Sequence, residues 1–216
     1  MPHAAMFNPD CRACPRLAAH LDEVRAAHPS YHARPVAPFG ASDPRLLIVG
    51  LAPGLHGANA TGRPFTGDFA GILLYNTLFE LGFSSRPESR SVADGLTLNG
   101  CRITNAVKCL PPQNKPLGAE IIACNAYLKV ELAGLRRGAV VLALGGIAHS
   151  AVLRALGLKA SAHKFRHGAV HALSDQRWLI DSYHCSRYNT QTKRLTATAF
   201  KAVFEQARNL IHHESS

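Results

Sequence analysis

Four of the six cysteines in this 216-residue chain are spaced for ligation. Cys11 and Cys14 form a C-x-x-C pair ahead of a helical pattern. Cys109 and Cys124 are separated by fourteen residues that include Pro111, Pro112 and Pro116. Four thiolates suit an iron–sulfur cluster or a structural zinc ion. Two pairs from distant segments would staple the N-terminal region to the middle of the chain. Buried cysteine is common without any ligand, but two core thiols rarely share one polar, proline-ended turn. A redox C-x-x-C wants a preceding strand, which this pattern lacks. Cys101 and Cys185 fall outside the set.

Three further segments hold residues able to do chemistry. Gly50 to Asp68 reads G-L-A-P-G-L-H-G-A-N-A-T-G-R-P-F-T-G-D, with five glycines, two prolines and a terminal carboxylate. It starts where the apolar run Leu46-Leu47-Ile48-Val49 stops, and a helical pattern follows. Glycine lets backbone approach a ligand closely, and the segment is long for a connector, most of which run to about 2–6 residues. The turn from Ser182 to Arg194 gathers His184, Ser186 and Asn189 with the cations Arg187, Lys193 and Arg194. Its hydroxyls can donate to phosphate oxygens; a polar surface loop is the plainer reading of any one of them. Asn105 interrupts an apolar strand end. Its amide can match the O4 and N3–H edge of a pyrimidine or simply satisfy loop backbone.

Apolar periodicity supplies the elements that must hold these segments. Helices are predicted over residues 17–28, 71–81, 118–135, 147–156 and 195–212. Strands are predicted over 45–51, 101–107, 139–144, 165–173 and 177–183. Alternating strands and helices imply a mostly parallel sheet covered on both faces. The turns after Val49, Val107, Leu144 and Tyr183 would then meet at one sheet edge, where open α/β sheets bind ligands.

Composition bounds the partners. Lys and Arg exceed Asp and Glu by 24 − 14 = 10, and a pI near 9.7 ranks a polyanion high among ligands. At 47% hydrophobic and 18% charged residues, the chain reads as one globular domain, 1–216, whose N-terminal segment 1–44 carries the first two cysteines. The longest run without a polar residue, Gly138 to Ala148, is short of the roughly 20 needed to span a bilayer. No basic n-region followed by an apolar core opens the sequence, so a cytoplasmic, nucleoid-associated location is expected.

With these motifs in order, the chain resembles the uracil-DNA glycosylase superfamily, and most closely family 5, the type B branch with an iron–sulfur cluster. The likeness runs from Cys11 to about Thr196: C-R-A-C, the Gly50–Asp68 motif, T-N-A-V-K-C-L-P-P-Q-N-K-P, Cys124, A-L-G-G and H-C-S-R-Y-N-T. Family 4 has an acidic residue where this chain has Leu51, and lacks the aspartate found here as Asp68. The family usually has proline where Cys185 stands.

The resemblance implies a three-layer α/β/α sandwich with a central, mostly parallel sheet. It implies hydrolysis of the N-glycosidic bond of uracil, and of other deaminated bases, in DNA. Asp68 would orient water and stabilise a positive sugar, and His184 would stabilise the departing base. Phe65 would stack on the flipped base, Asn105 would read its edge, and Asn189 would lie near it. Leu51, Ala52 and Gly54 would line the pocket. Ser186, Arg187, Lys193 and Arg194 would contact DNA. Cys11, Cys14, Cys109 and Cys124 would hold a 4Fe–4S cluster in a protein expected to be a monomer. Asp68 is equally suited to cap the next helix, as is Thr66. The rival readings are a non-catalytic iron–sulfur or zinc DNA-binding module on the same fold, and an α/β hydrolase of free nucleotides.

Overall fold

The computed structural model describes residues 7–173 and 176–213, which form one six-stranded sheet in the order β1-β3-β2-β4-β6-β5. The strands are β1 (Phe39–Gly40), β2 (Leu46–Gly50), β3 (Cys101–Asn105), β4 (Val140–Leu144), β5 (Val170–Ala172) and β6 (Trp178–Ser182). The inner four run parallel, and β1 and β5 close the edges antiparallel. The helices are α1 (Pro15–Ala27), α2 (Ala58–Thr61), α3 (Phe69–Glu80), α4 (Gly118–Ala133), α5 (Gly146–Leu156), α6 (Arg187–Gln191) and α7 (Ala197–His213).

Alternation along the strands sorts their side chains into two apolar layers. Leu46, Ile48, Val140 and Leu142 pack with Leu74 and Leu78 of α3 and Phe200 and Phe204 of α7. Leu47, Val49, Val141 and Ala143 face Leu128 of α4 and Val152 of α5. Both faces of β2 and β4 are therefore buried, as their unbroken apolar sequences require. This is the expected three-layer α/β/α arrangement. No helix among the described residues is long and apolar enough to cross a membrane.

A third apolar cluster joins Leu17, Leu21 and Val24 of α1 to Val107, Cys109, Leu110 and Cys124. It docks the N-terminal segment on the loop after β3.

One predicted strand is much shorter than the sequence suggests. Residues 165–173 contribute only Val170–Ala172, because the preceding backbone serves another partner. Arg166 N–H donates to Asp181 Oδ2 (3.4 Å) and Gly168 N–H to the Asp181 carbonyl (2.8 Å). Asp181 is fully buried and is also met by His149 Nδ1 (2.7 Å) and His171 Nε2 (3.1 Å).

The other nitrogen of His149, Nε2, meets the His163 carbonyl at 2.8 Å. Both ring nitrogens thus face acceptors, an arrangement that favours the doubly protonated, positively charged ring. Burial opposes that charge, but Asp181 and the His163 carbonyl raise the His149 pKa above the ordinary value. The three side chains lie within 4.8 Å of one another. The 2.7 Å contact nevertheless fits a shared proton better than two ligands on one zinc ion, which 2.0–2.1 Å bonds would hold about 3.3 Å apart.

A raised folded-state pKa gives stability that is complete below the unfolded value and lost as pH rises through the folded one. The melting temperature of wild type is therefore expected to fall on the alkaline side of pH 6.5 more steeply than that of His149→Gln. Parallel melting curves for the two proteins would contradict a charged His149.

Candidate active site

The parallel strands β2, β3, β4 and β6 deliver their following loops to one sheet edge, and a cavity of about 320 Å3 opens there. Leu51, Ala52, Gly54, Phe65 and Asp68 line it from the loop after β2, Asn105 from the end of β3, and His184, Ser186 and Arg187 from the segment after β6. Three segments far apart in sequence thus supply one site.

Register places Asn105. Gly50 pairs with Asn105 across the β2–β3 ladder, and a Cβ on Gly50 would lie 2.4 Å from Asn105 Oδ1 and 2.8 Å from the Phe65 ring. Glycine is the residue that leaves room for both. Asn105 is buried, and its Oδ1 has no hydrogen-bond partner in the protein. An orphaned buried acceptor is costly, and here it lies at the wall of a cavity that a ligand can enter.

Phe65 is held in an uncommon backbone state, with φ of 54°. The Tyr75 hydroxyl fixes the preceding residue by donating to the Pro64 carbonyl at 2.9 Å. On the other side, the Phe65 carbonyl packs so closely on Gly71 that a Cβ there would lie 1.9 Å from it. The ring ends up roughly stacked on His184, with centroids 5.8 Å apart and planes at 27°. Arg63 anchors the same loop from behind through Asp94 (2.8 Å), Ser89 and the Val92 carbonyl.

Asp68 caps α3: its Oδ1 accepts from Gly71 N–H at 2.8 Å. Thr66 is not the cap; its hydroxyl turns to Pro64 and Ser89. The second carboxylate oxygen lies toward Gly57, where a Cβ would meet it at 2.6 Å. Burial raises the Asp68 pKa against the lowering pull of the Gly71 and Ala70 backbone N–H groups. Capping and a second role are compatible because the two oxygens have separate surroundings.

His184 is pushed down to about 4 by burial, so the imidazole is neutral at pH 7 and carries one N–H. Cys185, at the position where the family resemblance expects proline, is fully buried, and burial drives its thiol well above the ordinary range. It sits in the core as a small apolar side chain.

Three of the expected site residues lie outside the cavity wall. Asn189 is not a wall of the cavity: its Nδ2 donates to the His184 carbonyl at 2.8 Å, so it braces the loop. Arg194 stacks over Tyr183 (4.5 Å), and Lys193 lines a neighbouring groove. Ser186 does line the cavity but also caps α6, accepting from Asn189 N–H at 3.4 Å. Four wall residues escaped the sequence reading: Ala58, Phe69, Ala70 and the polar one among them, Asn114. It follows Gln113, and both have φ of 56°, a state that asparagine tolerates better than most residues. The Pro-Pro-Gln-Asn turn was the available signal.

The four cysteines meet beside α1. All are free thiols. Burial drives Cys109 up to about 12, and Cys124, Cys11 and Cys14 are near enough to raise it further. Cys124 Sγ accepts from Lys108 N–H at 3.3 Å. Four thiols so placed cannot all ionise without a compensating cation, which is the demand of a metal site. Two pairs of thiolates suit an iron–sulfur cluster or a zinc ion.

Comparison with known proteins shows the family. The family model described as the uracil DNA glycosylase superfamily matches residues 37–208. The chain is 51% identical over 205 residues to a type-5 uracil-DNA glycosylase of Thermus thermophilus, covering 93% of each. It is 43% identical to that of Mycobacterium leprae, covering 93% of this chain and 91% of the relative. A type-4 uracil-DNA glycosylase of Thermotoga maritima is 31% identical, over 82% of this chain and 76% of its own length.

Proposed function

The chain belongs to the uracil DNA glycosylase superfamily, and from that premise we propose how its cavity works. It hydrolyses the N-glycosidic bond of uracil in DNA as a repair enzyme. The observation that carries the residue assignment is the convergence of Asp68, Phe65, Asn105 and His184 on one cavity in which the Asn105 acceptor has no protein partner.

The reaction requires the nucleotide to leave the helix, at a cost of a few kcal/mol. Contacts of Ser186, Arg187, Lys193 and Arg194 with phosphates, and the counterions they release, offset part of that cost. Inside the cavity Phe65 offers a ring face to the base, and the Asn105 amide pairs with its O4 and N3–H edge. As the bond breaks, negative charge gathers on the base and positive charge on the sugar. The neutral His184 imidazole donates its N–H to the base oxygen. The Asp68 oxygen not engaged by Gly71 faces the sugar, orients water and stabilises the positive charge. Partial burial strengthens both interactions, and the raised proton affinity of Asp68 makes it a better base toward water. The volume supports acceptance of larger deaminated purines beside uracil.

Cys11, Cys14, Cys109 and Cys124 would hold a 4Fe–4S cluster. Such a group supplies a covalent staple here, since hydrolysis moves no electrons. Cys109 precedes and Cys124 follows the loop that carries Asn114, so a group held by both would help to order that wall. The purified protein is expected to be brown, with about four iron atoms per chain; a colourless, zinc-loaded protein would overturn the assignment. A purely DNA-binding module is disfavoured, because a desolvated carboxylate weakens phosphate binding and serves chemistry instead.

Oligonucleotides carrying uracil, hypoxanthine or xanthine test the pocket. Asn105→Ala is expected to lower kcat/KM for uracil by about 10²-fold, the scale of an unpaired buried hydrogen-bonding group. Undiminished uracil excision by this variant would remove Asn105 from base recognition.

A further inference from the structure

A second groove of about 350 Å3 lies beside the catalytic cavity and shares a wall with it. Phe69 lines both. From α3 the groove also takes Ile72 and Leu73, and from the segment after α6 it takes Lys193 and Leu195. Ile72 is 64% exposed and Phe69 36%, so a broad apolar surface is left in water at the rim of the catalytic cavity. Scattered exposed side chains need no explanation, but a contiguous set rimmed by cations marks a binding surface.

The cations are placed to serve both cavities. Arg187 lines the catalytic cavity and lies 5.1 Å over the Phe69 ring. Lys193 lines the groove and has a left-handed φ of 56°. Its N–H bonds to the Thr190 carbonyl (3.2 Å), and the Leu195 N–H bonds to the Asn189 carbonyl (2.9 Å). The turn that presents Lys193 is therefore fixed by the loop that carries His184. Among the described residues no carboxylate pairs with Lys193.

We propose that this groove binds the base of the nucleotide next to the flipped uracil in the same DNA strand. The proposal rests on the glycosylase reading and extends it from one nucleoside to two. A flat apolar floor is the surface on which a base stacks, whatever its sequence. Phe69 lines both cavities, so consecutive nucleosides would share it as a common wall. The phosphate joining them then lies between Arg187 and Lys193, which supplies the charge complementarity. Continuity with the catalytic cavity and the bordering cations favour DNA over a protein segment as the occupant.

Single-turnover excision from uracil-containing single strands tests this. The neighbouring nucleotide, on the 5′ or the 3′ side, is replaced by a baseless tetrahydrofuran spacer. One of the two spacers is expected to lower kcat/KM of wild type by about 10-fold, within the range for loss of one stacked base. Ile72→Asp, at an exposed position that spares the core, is expected to lower kcat/KM on the unmodified strand by a similar factor, and the spacer then costs it nothing more. Lys193→Ala is expected to reduce the salt slope of binding by about one unit. Spacers without effect on wild type, or a spacer effect that persists in full in Ile72→Asp, would overturn the proposal. Failure of wild type to excise uracil from the unmodified strand, both alone and annealed to its complement, would instead overturn the glycosylase reading beneath it.

Discussion

Asp68→Asn is expected to lower the single-turnover rate of uracil release by about 10³-fold, within the range for loss of a positioned acid–base group, and to leave the melting temperature almost unchanged. The separation follows from the two oxygens. Oδ1 is engaged with Gly71 N–H, a task the Asn side-chain carbonyl performs nearly as well. The other oxygen supplies charge to the cavity, and the substitution replaces that charge with a neutral amide. Asp68→Ala removes both functions and is expected to lose about 1 kcal/mol of stability with the cap. Measured rates and melting temperatures for the pair therefore resolve chemistry from folding. If Asp68→Asn keeps its rate while Asp68→Ala loses it, the aspartate is a structural cap and the mechanism needs another carboxylate.

Gly50→Ala is expected to cost about 10²-fold in kcat/KM, the scale of misplacing reacting groups by about 1 Å. The added methyl would lie 2.4 Å from Asn105 Oδ1 and 2.8 Å from the Phe65 ring. Both neighbours are side chains, so they yield, and the base pocket deforms while the sheet remains. The stability loss is expected to stay within the roughly 1–3 kcal/mol of ordinary overpacking. Gly71→Ala makes the contrast, because its Cβ would meet the Phe65 backbone oxygen at 1.9 Å. There the start of α3 must shift, and folding suffers with activity. Unchanged kinetics in Gly50→Ala would show that Asn105 and Phe65 do not grip the base.

The parallel sheet and its loaded edge were legible because β2 and β4 are continuous apolar runs, each followed by glycine-bearing turns. The segments that those turns hold follow from topology, so the meeting of Asp68, Asn105 and His184 was also legible. What escaped was structure set by single tertiary contacts. The one-turn helices α2 and α6 are too short to show periodicity. Residues 165–169 look like a strand, but their backbone is claimed by Asp181. Asn189 sits in the right loop, yet its amide turns back to the His184 carbonyl. Side-chain direction in a polar turn depends on such local bonds, which residue type does not fix. Buried charges were hidden for a similar reason: Lys108 lies within apolar sequence, and its partner Glu131, 2.6 Å away, comes from α4.

The central claim is that this cavity releases a base from DNA and leaves the strand intact. One measurement addresses it most directly: wild-type protein in excess over an oligonucleotide with a single uracil, its products resolved with and without alkali. The account predicts one free uracil per strand and a full-length strand that breaks at the former uracil only after alkali. Uracil still attached after prolonged incubation, or a strand already broken before alkali, would contradict it.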